Sequence, residues 1–101
     1  MPAYMIVHAT ITDRDKFISG YAKAAAQLVE QFGGRYVLRA QGSTVLEGDL
    51  DDNSSAVISE WPDKDAALRF WNSPEYAEVK KLRADCADCR VTIVEAPSIS
   101  G

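Results

Sequence analysis

Arg39 and Glu47 flank the turn signal Gly42-Ser43. The turn joins two strand-like segments, Arg35–Gln41 and Thr44–Gly48, and sets the two charges roughly opposite each other, within cross-strand reach. A guanidinium so placed can take a small carboxylate or an enolate as its ligand, with Glu47 orienting it from behind. The same pair can equally be a structural ion pair that fixes the hairpin's register. Donors left over after pairing would mark the arginine as a binding group. His8 is the single histidine. Its ordinary pKa of about 6.5 suits proton transfer, and a strand covered on both sides would shield it from water. A hydrogen-bonded packing role is the alternative. His8 and Arg39 are therefore the candidate catalytic groups. No serine has the glycine context of a nucleophile elbow, so a Ser-His-Asp arrangement finds no support.

Tyr21, Trp61, Trp71 and Tyr76 supply aromatic faces with polar tips. They can wall a pocket for a flat, partly apolar molecule, or simply fill the core. Ser73, before Pro74-Glu75, reads as a helix cap beside that pocket. Arg83 falls near a helix C-terminus, where it complements the helix dipole. Cys86 and Cys89 form a CxxC that follows a helix and precedes a strand. A low-pKa redox pair needs the opposite placement, at a helix N-terminus. One such pair with a single distant histidine is also too few ligands for zinc. Gly33-Gly34 ends a helix instead of opening one, so it cannot cradle a phosphate. No metal and no cofactor are expected.

These groups must be held by elements, and the pattern for those is clear. Residues 4–11 alternate, with Met5, Val7, Ala9 and Ile11 on one face and Tyr4, Ile6, His8 and Thr10 on the other. Asp13 caps a helix to about Phe32, whose stripe is Phe17, Tyr21, Ala25, Leu28 and Phe32. Gly33 or Gly34 stops it in a left-handed conformation. After the segments at 35–41 and 44–48 comes a polar loop over 49–55, then a strand at Ala56–Trp61. Asp63 caps a helix over 63–72, Ser73 a second over 74–85, and Arg90–Glu95 closes the domain as a strand. The tail APSISG reads as a partly ordered extension.

Residues 1–101 thus form one domain, with its core over about 3–96. The order β-α-β-(β)-β-α-β fits an α+β fold, a ferredoxin-like antiparallel sheet with helices on one face. A formal charge of −4 disfavours nucleic acid, which needs a basic footprint. No apolar run approaches the roughly 20 residues of a membrane span, and MPAYMIVHATI lacks the marks of a signal peptide. The expectation is a cytoplasmic protein with reduced thiols. Both parities of the strands are apolar, which calls for a cover on the second sheet face. A second subunit stacked sheet to sheet, a homodimer, is the simplest one.

The ordered set Gly33-Gly34-Arg35-Tyr36, Arg39, Leu46-Glu47-Gly48, Glu60-Trp61-Pro62, Trp71-Asn72-Ser73-Pro74-Glu75-Tyr76 and Leu82-Arg83 resembles domain-of-unknown-function family 1330. The resemblance covers about residues 3–96. It implies a dimeric α+β barrel, a pocket between sheet and helices, and a place for Arg83 at the pocket's edge. His8, Trp61 and the CADC segment depart from the family pattern. Relatives in the wider superfamily include cofactor-independent monooxygenases, haem-degrading enzymes and isomerases, so the fold does not fix the function. The expected function is binding of a small anionic or aromatic organic molecule. Arg39 and His8 would reach in from strands, and Tyr21, Trp71 and Tyr76 would form walls where the helices break at Asn72-Ser73-Pro74. A cofactor-free isomerase or monooxygenase is the alternative, and a structural dimer without a ligand the third reading.

Overall fold

The alternation of the first segment becomes β1 (Ala3–Ile11), an inner strand of a four-stranded antiparallel sheet ordered β2-β3-β1-β4. The computed structural model describes residues 1–50 and 54–97. β1 pairs on one side with β3 (Ser55–Trp61) and on the other with β4 (Ala87–Glu95); β2 (Arg35–Ala40) lies outside β3. Between β1 and β2 run α1 (Arg14–Lys16), a π-helical stretch (Phe17–Ala22) and α2 (Lys23–Gln31). Between β3 and β4 lie α3 (Lys64–Trp71), α4 (Pro74–Lys80) and a 3-10 turn (Lys81–Arg83). This is the ferredoxin-like α+β arrangement. Only Ala96 and Pro97 of the expected tail belong to the described residues, and Asp51–Asn53 of the expected 49–55 loop lie outside them.

Odd positions of β1 face the helices. Ala3, Met5 and Ala9 are buried there with Leu28, Val29, Ala66, Ala67, Phe70 and Tyr76. Small alanines on α3 let it lie close to the sheet, and the aromatics fill the space left. Each helix start is held by the side chain that the sequence marks. Asp13 accepts from the Lys16 amide at 3.1 Å and Asp63 from the Ala66 amide at 2.8 Å. Ser73 accepts from the Tyr76 amide at 3.0 Å and donates to the Phe70 carbonyl at 2.8 Å, which ties the end of α3 to the start of α4.

Three expectations about the elements need correction. Residues 44–48 form no strand; positions 41–50 have no regular structure. That segment has no apolar face to bury, since Leu46 is 93% exposed, and Gly48 bends the backbone at φ 106°. Ser43 Oγ meets Ser54 Oγ at 3.1 Å, and Ser55 Oγ donates to the Gln41 carbonyl at 3.1 Å, so the loop is fastened to the start of β3 instead. The first helix contains a π-helical turn that its apolar stripe does not reveal. Finally, β4 begins at Ala87, which places Cys89 inside a strand.

Candidate functional site

The site is made by an irregularity. In an unbroken strand Tyr36 and Leu38 would share a face and Arg39 would point away. A bulge between Tyr36 and Leu38 adds one residue to β2 at Val37, so Leu38 pairs with Ile58 on the open face and Arg39 with Val57 on the helix face. The Arg39 guanidinium then lies over the Tyr36 ring, 5.1 Å from its centroid. It makes no ion pair among the described residues.

Between this face and the helices is a cavity of about 100 Å³. Met5, Val7, Val57 and Val91 form its floor, and Phe17, Tyr21, Phe70, Trp71 and Tyr76 its walls. The π-helical stretch brings Phe17 and Tyr21 together, with ring centroids 5.1 Å apart. Tyr76 stacks against Phe70 at 4.6 Å and Trp71 at 5.2 Å. The Tyr21 and Tyr76 hydroxyls share a hydrogen bond of 2.8 Å, in which either can be the donor. Arg83 lies over the Tyr21 ring at 5.6 Å. Its Nε is buried and lacks a hydrogen-bond partner among the described residues. The Tyr76 phenol lies near enough to favour the guanidinium's charge but outside hydrogen-bond geometry.

Among the described residues no carboxylate lines the cavity, whereas two guanidiniums do. Burial, and then the neighbouring Tyr76, holds the Tyr21 phenol far above the ordinary range, so it stays a proton donor. Burial also raises Tyr36, against the opposing pull of Arg39. The Cys89 thiol is pushed up by burial although Arg83 favours its thiolate. Cys86 is buried and its thiol points to the Leu82 carbonyl at 3.5 Å. Neither cysteine is disulfide-bonded.

The sequence-derived candidates divide. Arg39, Tyr21, Trp71, Tyr76 and Arg83 line one cavity. His8 does not join Arg39, because even positions of β1 face away from the helices. It pairs with Ala56 and Arg90 in the sheet and borders a small cleft with Asp49, Ser54 and Asp88 on the open face. Glu47 does not stand opposite Arg39; it is exposed in the irregular segment. Trp61 is 1% exposed and packs on Phe70 at 5.1 Å, outside the cavity lining. Ser73 is a buried cap, not a wall. Residues that the sequence left unmarked are Tyr36, Phe17, Ser55, Ser59 and Cys89. Phe17 was visible in the helical stripe, and Cys89 falls in step with Val91 once the strand is started earlier. The bulge beside Tyr36 leaves no signal in the residue pattern.

Among the described residues no group of three or more His, Cys, Asp or Glu side chains is placed to hold a metal ion. None of their helices is long and apolar enough to cross a membrane.

A family model described as a domain of unknown function, DUF1330, matches residues 2–97. The chain belongs to this family. Solved structures similar to this DUF1330 protein include a protein of unknown function from Rhodopseudomonas palustris. It is 20% identical, with a TM-score of 0.78, over 96% of this chain and 83% of that one. SnoaB, a cofactor-independent oxygenase from Streptomyces nogalater, is 22% identical with a TM-score of 0.68, over 96% and 94% of the two chains. A dimeric ferredoxin-like protein of unknown function from Jannaschia sp. CCS1 is 13% identical with a TM-score of 0.68, over 95% and 100%. At these identities the likeness is one of fold. No curated protein matches the DUF1330 chain significantly.

Proposed function

We propose that this protein binds a small aromatic anion in the cavity between sheet and helices, with Arg39 at the mouth as the group that takes the carboxylate. The observation that carries the reading is the lining itself. Two guanidiniums without a carboxylate partner among the described residues face a cavity walled by aromatic rings, in a chain whose formal charge is −4. An unpaired guanidinium recruits an acid, and the rings exclude water around it. Among the described residues Arg39 has no ion-pair or hydrogen-bond partner, which supports a binding arginine over a structural one.

Turnover has less support than binding. No described residue lining the cavity is a histidine or a carboxylate, so none of these groups is an ordinary base near neutral pH. SnoaB acts as a cofactor-independent oxygenase, which keeps cofactor-free oxygenase or isomerase chemistry as the second reading on this fold. Assembly belongs to the same proposal. The open sheet face carries Tyr4, Ile6, Leu38, Ile58 and Val94, and one structural neighbour is described as dimeric. Two copies stacked through that face would leave both cavities intact.

Calorimetric titration of benzoate and related aryl carboxylates tests the binding reading. Arg39→Ala should weaken binding at least tenfold, the loss expected for a charge-assisted hydrogen bond. Its melting temperature should stay within a degree or two, because an exposed, unpaired side chain contributes little to stability. Failure of every aryl acid to bind the wild type, or undiminished binding to Arg39→Ala, would leave the dimer without a ligand as the better account.

A further inference from the structure

Arg39 accounts for one end of the cavity; the other end has donors of its own. Tyr21 and Tyr76 have two O–H groups between them and spend one on their mutual hydrogen bond. Whichever phenol accepts that bond keeps a proton to give elsewhere. Beside them the Arg83 Nε–H is buried and unpartnered, with its guanidinium over the Tyr21 ring. A buried donor left without an acceptor is costly, and natural structures leave few of them. Here two surplus donors meet in one place, and no carboxylate among the described residues lines the cavity to receive either.

The two arginines also enter from opposite sides. Arg39 stands on β2, the outer strand at one edge of the sheet. Arg83 follows α4 and lines the cavity with Cys89, which is on β4 at the other edge. Three strand spacings separate those edges, roughly 14 Å of backbone, and both side chains reach inward across it. Aromatic walls fill the interval.

We propose that Arg83 and the Tyr21–Tyr76 pair form a second oxyanion site, so that the ligand is an aryl acid with a phenolic or enolic oxygen at the far end of its ring from the carboxylate. This rests on the binding reading above and narrows it. The carboxylate meets Arg39 at the mouth, and the second oxygen accepts from Arg83 Nε–H and the spare phenol proton. Burial holds the Tyr21 phenol protonated well beyond neutral pH, so it stays a donor beside Arg83. Such a site favours the ionised form of the ligand's own hydroxyl.

Titrations of the intact protein with benzoate and 4-hydroxybenzoate separate the two claims. The hydroxylated acid should bind the wild type about tenfold more tightly, as expected for an added hydrogen bond to a charged donor. Arg83→Met, and separately Tyr21→Phe with Tyr76→Phe, should collapse the preference for the hydroxylated acid to within about twofold, the ratio of the two affinities being the readout whatever happens to benzoate itself. If Arg83→Met fails to fold, the double phenylalanine variant and an absorbance readout decide. Bound 4-hydroxy-3-nitrobenzoate should show its yellow phenolate at a pH where the free acid is still protonated. Equal wild-type affinity for the two acids, or a nitrophenol that binds without ionising more readily, would overturn the second site and leave the Arg39 reading standing. If neither acid binds, the binding reading itself fails, and this one with it.

Discussion

Gly33 and Gly34 are neighbours that answer to different constraints. Gly33 takes φ 93°, the left-handed turn that ends α2, and its amide bonds back to the Glu30 carbonyl. Gly34 has no such φ; its side is closed by the Trp61 indole. A methyl group built there would sit 2.8 Å from three ring carbons. The indole cannot step aside, being almost fully buried, packed on Phe70 and bonded through Nε1–H to Ser59 Oγ at 2.9 Å. Gly34→Ala should therefore cost about 1–3 kcal/mol by overpacking. Trp61→Phe in the same chain should make the alanine cheaper than the sum of the two changes, and thermal or denaturant melts of the cycle check it. A glycine pair at a helix end is legible in a sequence as punctuation. That one of the two makes room for a ring from another strand is not. The same limit explains the fate of the charged candidates. Arg39 was recognisable as a binding type, but its direction depends on one bulged residue. His8 was recognisable as a titrating type, yet strand parity alone sends it to the other face. Glu47 was paired with Arg39 through a hairpin that does not form.

At the level of elements, the capped helices were legible because Asp13, Asp63 and Ser73-Pro74 state their starts in local chemistry. Strands β1, β3 and β4 followed from alternation. The segment at 44–48 failed because two apolar residues and a turn signal imitate a strand without offering a face to bury. The π-helical turn was hidden because an apolar stripe tolerates one extra residue. Beyond its backbone pairing with β3, β2 is tied to β1 through the Glu60 side chain of β3. That carboxylate receives Arg35 Nε at 2.8 Å and also Nη2 of the same guanidinium, while the Tyr4 hydroxyl of β1 donates to its other oxygen at 3.0 Å. These bonds, Arg35's first, hold the Glu60 carboxyl below its ordinary value of 4.5. A depressed folded-state pKa contributes stability that is present above the ordinary value and is lost as pH falls through the folded one. Glu60→Gln should thus be less stable than wild type at neutral pH, and in denaturant melts the gap should shrink as the pH falls below the ordinary 4.5 and through the lowered folded value. A gap that is constant across that range would mean the carboxylate's charge contributes nothing to holding β2.

As a whole the molecule measures 37 × 35 × 17 Å, a slab only two layers deep. The helices cover one face of the sheet, and the other is left to Tyr4, Ile6, Ile58, Leu38 and Val94, the last two each 44% exposed. Monomers seldom leave so continuous an apolar face to water, and the second copy proposed above would cover it. The need for a cover was readable from residues 4–11, where both parities are apolar. Light scattering at micromolar concentration should return twice 11.1 kDa. Ile58 sits at the middle of that face, paired with Ile6 on one side and Leu38 on the other. Ile58→Glu would place a charge at the middle of the proposed interface, so it should give a species of 11.1 kDa. Among the described residues, those lining the cavity belong to the helices or to the helix face of the sheet, and none to the open face. The dissociated variant should therefore keep its aryl-acid affinity within a few fold of wild type, provided circular dichroism shows the fold intact. A wild-type mass near 11.1 kDa would remove the dimer. Loss of binding in a folded Ile58→Glu monomer would show instead that the cavity depends on the partner's support.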